Sequence, residues 1–324
     1  KGMYKTQVTC AGADGRWLYD DWKLAIENIT SDDVTCDIKF ETITKTYLND
    51  YITGLAGTTQ GTGQVVTENG YRYEGKNPNN YIWFNNEYWR IIGVFDSASH
   101  GVSGKNLVKI IRAETLDGLA WHKSNTNDWT ASSLKSLLNG AYYNAQDGTN
   151  SGYCYGYSTT VTANCDYTKK GIQSGYRGMI ANVTWYLGGY SSASATAEAF
   201  YGYERGTTVY SGRPTSTIGY IGLMYPSDYG YSVLSSSCAR TTNLGSYRSA
   251  TCAGQSWLYG KGNEWTLTPV SSIATVFYLR DDGRLYYAQN AYGGYNSRPV
   301  LYLDSSVFLY DGDGSLENPY IIGM

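Results

Sequence analysis

Glu264-Trp265-Thr266-Leu267-Thr268-Pro269, followed about thirty residues later by Arg298-Pro299-Val300-Leu301-Tyr302-Leu303, is the stretch on which the reading of this chain turns. Trp265-Thr266-Leu267 alternates as a strand with one buried face does, and Val300 to Leu303 runs apolar like a core strand. Asp281-Asp282-Gly283 between them suits a hairpin turn. Pro299 holds Arg298 extended, which fits an arginine that pins a loop. Tyr286, Tyr287, Tyr292 and Tyr295 fall inside the interval among Gly, Ala, Gln and Asn. Tyrosine gives large contact area with little rotamer entropy to lose, so such a cluster suits either a binding surface or a plain loop.

Outward from this stretch, strands are expected at Val307 to Tyr310, Tyr320 to Ile322 and Leu107 to Arg112. Others are expected at Tyr220 to Met224, and at Tyr81 to Phe84 and Tyr88 to Val94 around an Asn85-Asn86-Glu87 turn. Helical spacing marks Leu48, Ile52 and Leu55 up to Gly57. It also marks Leu134, Leu137, Leu138 and Ala141, with Thr130 as cap and Asn139-Gly140 as stop. A third helix is expected through Tyr176, Met179, Ile180, Val183, Tyr186 and Leu187. Residues 190–219 read as a long polar loop. Few helices, short strands and long loops predict an α+β fold. Residues 1–44 read as a small β module, with alternation at Trp22 to Ile26 and Val34 to Phe40, ahead of one domain over 45–324.

Composition narrows the function. Among 324 residues, 34 Tyr, 9 Trp and 6 Phe exclude general disorder. A net charge of −3 leaves no basic footprint for nucleic acid. No apolar run reaches the ~18 residues of a spanning helix, so no membrane insertion is expected. Lys1-Gly2-Met3-Tyr4 opens into polar sequence rather than a signal peptide, which reads as a mature fragment. Six cysteines allow fifteen pairings. They fall as neighbours without a CxxC, so three local disulfides are favoured over free thiols: Cys10–Cys36, Cys154–Cys165 and Cys238–Cys252. Disulfides of this kind point outside the cytoplasm.

Catalytic patterns are absent: no GxSxG, HExxH or Walker loop occurs. His100 and His122 read as exposed loop histidines. Glu204, Asp228 and Glu264 lie near aromatics, as glycosidase acids do, but such an enzyme needs two carboxylates about 5–10 Å apart. Asp311-Gly312-Asp313-Gly314-Ser315 opens like a calcium loop, yet Leu316 stands where an EF-hand needs glycine, so a tight turn is expected. No metal and no cofactor is assigned.

Asn77-Pro78-Asn79-Asn80-Tyr81, Tyr88 to Gly93, Ile221 to Tyr231, Glu264 to Pro269, Arg298 to Leu303 and Asn318-Pro319-Tyr320 together resemble signatures of large bacterial surface proteins. The resemblance covers roughly residues 45–324, and the first forty residues are similar to a segment often placed ahead of such domains. It implies a C-type-lectin-like core of the formylglycine-generating-enzyme type, similar to the variable proteins diversified by retroelements. The family's enzymes hold copper with cysteines near the domain's end; residues 265–324 contain none, so no enzyme activity is carried over. The tripeptides of calcium-dependent sugar sites, Glu-Pro-Asn and Gln-Pro-Asp, are also missing. By this resemblance the ligand-facing residues are Ser271, Ser272, Ile273, Ala274, Tyr278, Arg280, Asp281, Tyr286, Tyr287, Gln289, Asn290, Tyr292, Tyr295 and Asn296. They mix aromatic anchors, one cation, one anion and adaptable amides. The expected function is non-enzymatic: an extracellular adhesin or receptor-binding protein, on a cell surface or phage particle, with a glycan or protein ligand on a host or neighbouring cell. The alternatives are a structural subunit or cap of a surface filament, then a glycan-active enzyme.

Overall fold

Asn85 and Asn86 both take a left-handed backbone, with φ of 58° and 59°, the two-residue turn whose twist matches a β-hairpin. The turn returns Glu87–Phe95 onto Tyr81–Phe84, with the Trp83 and Tyr88 rings meeting edge to face at 5.1 Å. In the computed structural model, which describes residues 4–18, 23–42, 45–287 and 290–324, this hairpin lies inside a large sheet. Leu107–Arg112, Val300–Leu303 and Ile221–Gly222 follow on one side; Tyr320–Gly323 and Phe308–Asp311 follow on the other. Tyr320–Gly323 runs parallel to Tyr81–Phe84. A register shift between Ile91 and Gly93 lets Tyr71–Gly75 pair with the far half of Glu87–Phe95, and the sheet curls. Strand exceeds helix, 37% against 15%, so the fold is mixed α+β.

A second, smaller sheet carries the interval that opened the sequence reading. Its order is Leu116–Ala120, Gly294–Ser297, Glu264–Pro269, Val276–Leu279 and Leu285–Tyr287. All six residues of Glu264–Pro269 are buried. Helix Leu48–Gly54 directs Leu48 and Ile52 into the core of the large unit. The Asp311 to Ser315 segment is a turn between Phe308–Asp311 and Tyr320–Gly323.

The chain divides into two compact units, Lys1–Thr46 and Tyr47–Met324. In the first, Tyr4–Ala11 pairs with Thr35–Thr42, placing Cys10 directly opposite Cys36. Asp14–Leu18 pairs with Lys23–Glu27. None of the described residues of this unit is buried; the rings of Trp17 and the exposed Phe40 meet edge to face at 5.3 Å. Trp22 lies outside the described residues. All three expected disulfides are formed, and no described cysteine is free. No described helix is long and apolar enough to cross a membrane.

Four expectations are corrected. Helix Ser174–Arg177 stops after one turn, and Val183–Tyr186 is a strand with alternate residues buried. Its β-branched and aromatic side chains follow period two, and Trp185 donates from Nε1 to the Gly219 carbonyl at 3.0 Å. The 190–219 stretch contains a helix, Ala197–Glu204, capped by Thr196, and a strand, Ser216–Gly219. Ser132, not Thr130, caps Ser133–Leu137. The chain then continues as a wider π turn through Asn139 and Gly140, because the Asn139 amide binds the Tyr220–Ile221 backbone instead of ending the helix. Gly230 lies in helix Pro226–Tyr231, where a Cβ would meet that of Ala197 at 2.6 Å.

Candidate functional site

Trp265 is the foundation of the small sheet's aromatic surface. It is buried, and its Nε1 donates to the Leu119 carbonyl at 2.8 Å. Tyr295 lies against it with ring centroids 4.6 Å apart, and Tyr278 lies 4.7 Å from Tyr295. Tyr278 also faces Tyr286 across the hairpin, in register and edge to face at 6.1 Å. From this base the aromatics step outward: Tyr278 is 9% exposed and Tyr286 43%. Burial, with Tyr295 beside it, raises the Tyr278 phenol well above its usual range, so it remains a neutral hydroxyl at physiological pH.

Tyr157, Tyr278, Tyr286, Tyr287, Asn290, Tyr292, Gly293 and Tyr295 line one pocket of about 330 Å³. Six of the fourteen ligand-facing candidates are therefore neighbours: Tyr278, Tyr286, Tyr287, Asn290, Tyr292 and Tyr295. The others lie elsewhere. Ser271, Ser272, Ile273 and Ala274 form the turn at the other end of Val276–Leu279, tied by the Asn127 amide to the Val270 and Ile273 carbonyls. Arg280 and Asp281 belong to the hairpin turn, where Arg280 pairs with Asp282 at 3.5 Å and Asp281 accepts from the Tyr259 hydroxyl through its carbonyl. Asn296 donates to the Lys261 carbonyl at 2.7 Å, a structural bond within the sheet's surroundings. Gln289 lies outside the described residues.

Tyr157 was not legible as a site residue. It comes from the Cys154–Cys165 loop, which is brought to the interval by two backbone contacts. Ser158 donates to the Tyr292 carbonyl at 2.9 Å. Gly294 approaches the Gly156 carbonyl so closely that any side chain there would collide with it, which is why glycine is required. The Tyr157 and Tyr292 rings then meet edge to face at 5.4 Å. The return at 290–293 is held further by His122, whose backbone N–H donates to the Ala291 carbonyl at 3.0 Å. The only sequence signal was a run of tyrosines, Tyr153, Tyr155 and Tyr157, at the start of a disulfide loop.

A buried ion pair joins the two ends of the interval. Arg298 reaches Glu264 with two nitrogens, Nε to Oε1 at 2.7 Å and Nη2 to Oε2 at 2.9 Å, and also donates to the Leu258 carbonyl. Burial raises the Glu264 carboxyl, and the Arg298 guanidinium acts against that rise.

The other residues weighed for chemistry serve cohesion. Asp228 takes Lys109 Nζ at 2.5 Å and Arg72 Nη1 at 3.2 Å, all three buried. Burial alone raises the Asp228 carboxyl, but these two cations outweigh it and leave its pKa below the usual value. Burial lowers Lys109 to about 8 in spite of the Asp228 partner. Glu204 accepts from Ser227 N–H at 2.9 Å, from its hydroxyl at 2.5 Å and from Arg205 at 3.2 Å, yet burial pushes it up to about 7. His100 and His122, expected to be exposed, are buried. His100 Nδ1 accepts from the Val102 N–H, so Nε2 donates to the Phe95 carbonyl at 3.1 Å; burial lowers its pKa. Among the described residues, no group of three His, Cys, Asp or Glu side chains is placed to hold a metal.

Comparison of the chain with protein-family models, with curated proteins and with solved structures finds no match.

Proposed function

We propose that this chain is an extracellular, non-enzymatic binding protein of the adhesin or receptor-binding type. It presents a tyrosine-rich surface on a C-type-lectin-like scaffold. The observation that carries the reading is the convergence of Tyr278, Tyr286, Tyr287, Asn290, Tyr292 and Tyr295 with Tyr157 around one pocket. Rigid aromatic side chains with polar tips, on short returns between fixed strands, are how recognition surfaces combine contact area with adaptable hydrogen bonds. The scaffold assignment is supported by the sequence motifs and by a small sheet, formed by the 264–297 interval and Leu116–Ala120, beside a larger curled one. Three disulfides support an oxidising, extracellular setting. An acid-catalysed glycosidase is disfavoured because Glu204, Asp228 and Glu264 are each buried against a cation and none lines the pocket.

The test is retention of the chain on intact cells and on a glycan array, comparing wild type with Tyr286→Ala and Tyr292→Ala. Retention lost in both variants, with melting temperatures unchanged, is the expected result. Equal retention of wild type and both variants would move the binding surface elsewhere.

A further inference from the structure

The eight lining residues carry no carboxylate and no cation. Six are tyrosines, one is asparagine and one is glycine. Their rings pair in three ways: Tyr278 with Tyr295, tilted at 32°; Tyr286 with Tyr287, stacked at 7°; Tyr157 with Tyr292, edge on at 84°. Such a lining offers apolar ring surface for packing together with phenol hydroxyls and one amide that both donate and accept. A ligand that matches it has a C–H face, a hydroxylated edge and no net charge. An anion would meet no cation in the lining. A cation would meet no carboxylate, and Arg280 already sits 5.6 Å from the Tyr286 ring centroid. The volume of about 330 Å³ falls at the small end of the range of about 300–1,000 Å³ usual for small-ligand sites. That is room for a sugar unit rather than for a folded protein loop.

We propose that this pocket binds an uncharged saccharide unit, stacked by its C–H face on tyrosine and hydrogen-bonded by Asn290 and the phenols, with no metal bridge. The assignment rests on the binding-protein reading above and narrows it to one ligand chemistry. Tyr292 and Asn290 stand on the return at 290–293 and Tyr157 on the disulfide loop, so two segments of backbone close on the same sugar.

The experiment uses the full chain on an array of neutral, sialylated and sulfated glycans, with calcium and then with EDTA, followed by calorimetry with the strongest neutral oligosaccharide. Signals concentrated on neutral glycans and unchanged by EDTA are expected. Tyr292→Ala and Asn290→Ala should each weaken binding by about tenfold, the size of one aromatic or hydrogen-bonded contact. Ser272→Ala, on the turn at the far end of its strand, should leave it unchanged. Signals confined to charged glycans, loss of binding in EDTA, or full affinity in both pocket variants overturns the assignment. A blank array combined with a labelled cell-surface protein retained by wild type and released by Tyr292→Ala overturns the saccharide and keeps the binding-protein reading. A blank in both overturns both.

Discussion

Two clusters in the large unit are both rich in aromatic rings and are arranged in opposite ways. Around Asp228, the rings of Phe95, Trp185, Tyr225 and Tyr302 lie within 6 Å of Lys109 Nζ, and Arg205 stacks 3.5 Å from the Tyr201 ring centroid. There the aromatics shield charges that pair with one another, Asp228 with Lys109 and Arg72, and Glu204 with Arg205. Around the pocket, six tyrosines surround open space and the nearest charges pair among themselves in the Asp282 turn. Tyrosine content therefore does not separate cohesion from recognition; partnering does. Where buried charges pair among the rings the cluster holds the fold together, and where the rings reach the surface, as Tyr286 does, they leave the face on which the binding proposal rests.

The sharpest way to break this contrast is to remove the centre of the buried cluster. Asp228→Ala leaves Lys109 and Arg72 buried without their carboxylate and should cost about 3–5 kcal/mol in urea denaturation. A loss below about 1 kcal/mol would mean the cluster is not the cohesive element described here. Within the pocket itself the same contrast recurs on a smaller scale. Tyr295→Ala strips a ring from Trp265 and Tyr278 and should cost about 2–3 kcal/mol, whereas Tyr286→Ala should stay within about 0.5 kcal/mol. Equal losses in melting experiments would show that the outer ring is core as well. A separate test is pH dependence. Glu204, raised to about 7 in the folded chain from 4.5, binds its proton more tightly folded than unfolded. Its contribution is therefore complete below pH ~4.5 and is lost as pH rises through about 7. Between those values wild type should lose up to about 1.4 kcal/mol per pH unit relative to Glu204→Gln. Parallel stability curves for the two proteins would remove Glu204 from this role.

Much of the β framework was legible because its signals are local. Asn85-Asn86 gives a hairpin turn, Leu107, Val108, Ile110 and Ile111 mark a strand whose six residues are all buried, and each cysteine has a near neighbour in sequence. The helices were less legible. Ala197–Glu204 buries Ala197, Phe200 and Glu204, a face with one large apolar residue, so the polar residues around it hid the period. Val183–Tyr186 failed in the other direction, since Met179, Ile180, Val183 and Leu187 happen to repeat at helical spacing while β-branched and aromatic side chains favour strand. His100 and His122 looked like loop residues because their burial comes from distant parts of the chain. The pocket was half legible for the same reason. Its members within the interval share a local composition, but Tyr157 reaches them through long-range contacts, Gly156 with Gly294 and Ser158 with Tyr292, that no periodicity announces.

The Glu264–Arg298 pair joins the two ends of the interval through a forked hydrogen bond. The chain between them leaves and re-enters at one clasped doorway, and on the way its strand Val276–Leu279 is buried in the core. Lengthening a turn along that path is cheap, about 0.6 kcal/mol for each doubling of a flexible segment. Sequence grafted at the exposed Ser272–Ile273 turn is then cargo that the doorway tolerates, whereas the buried Ala291 fixes the 290–293 return. Altering Glu264 or Arg298 is a change to the hinge on which every such cargo hangs.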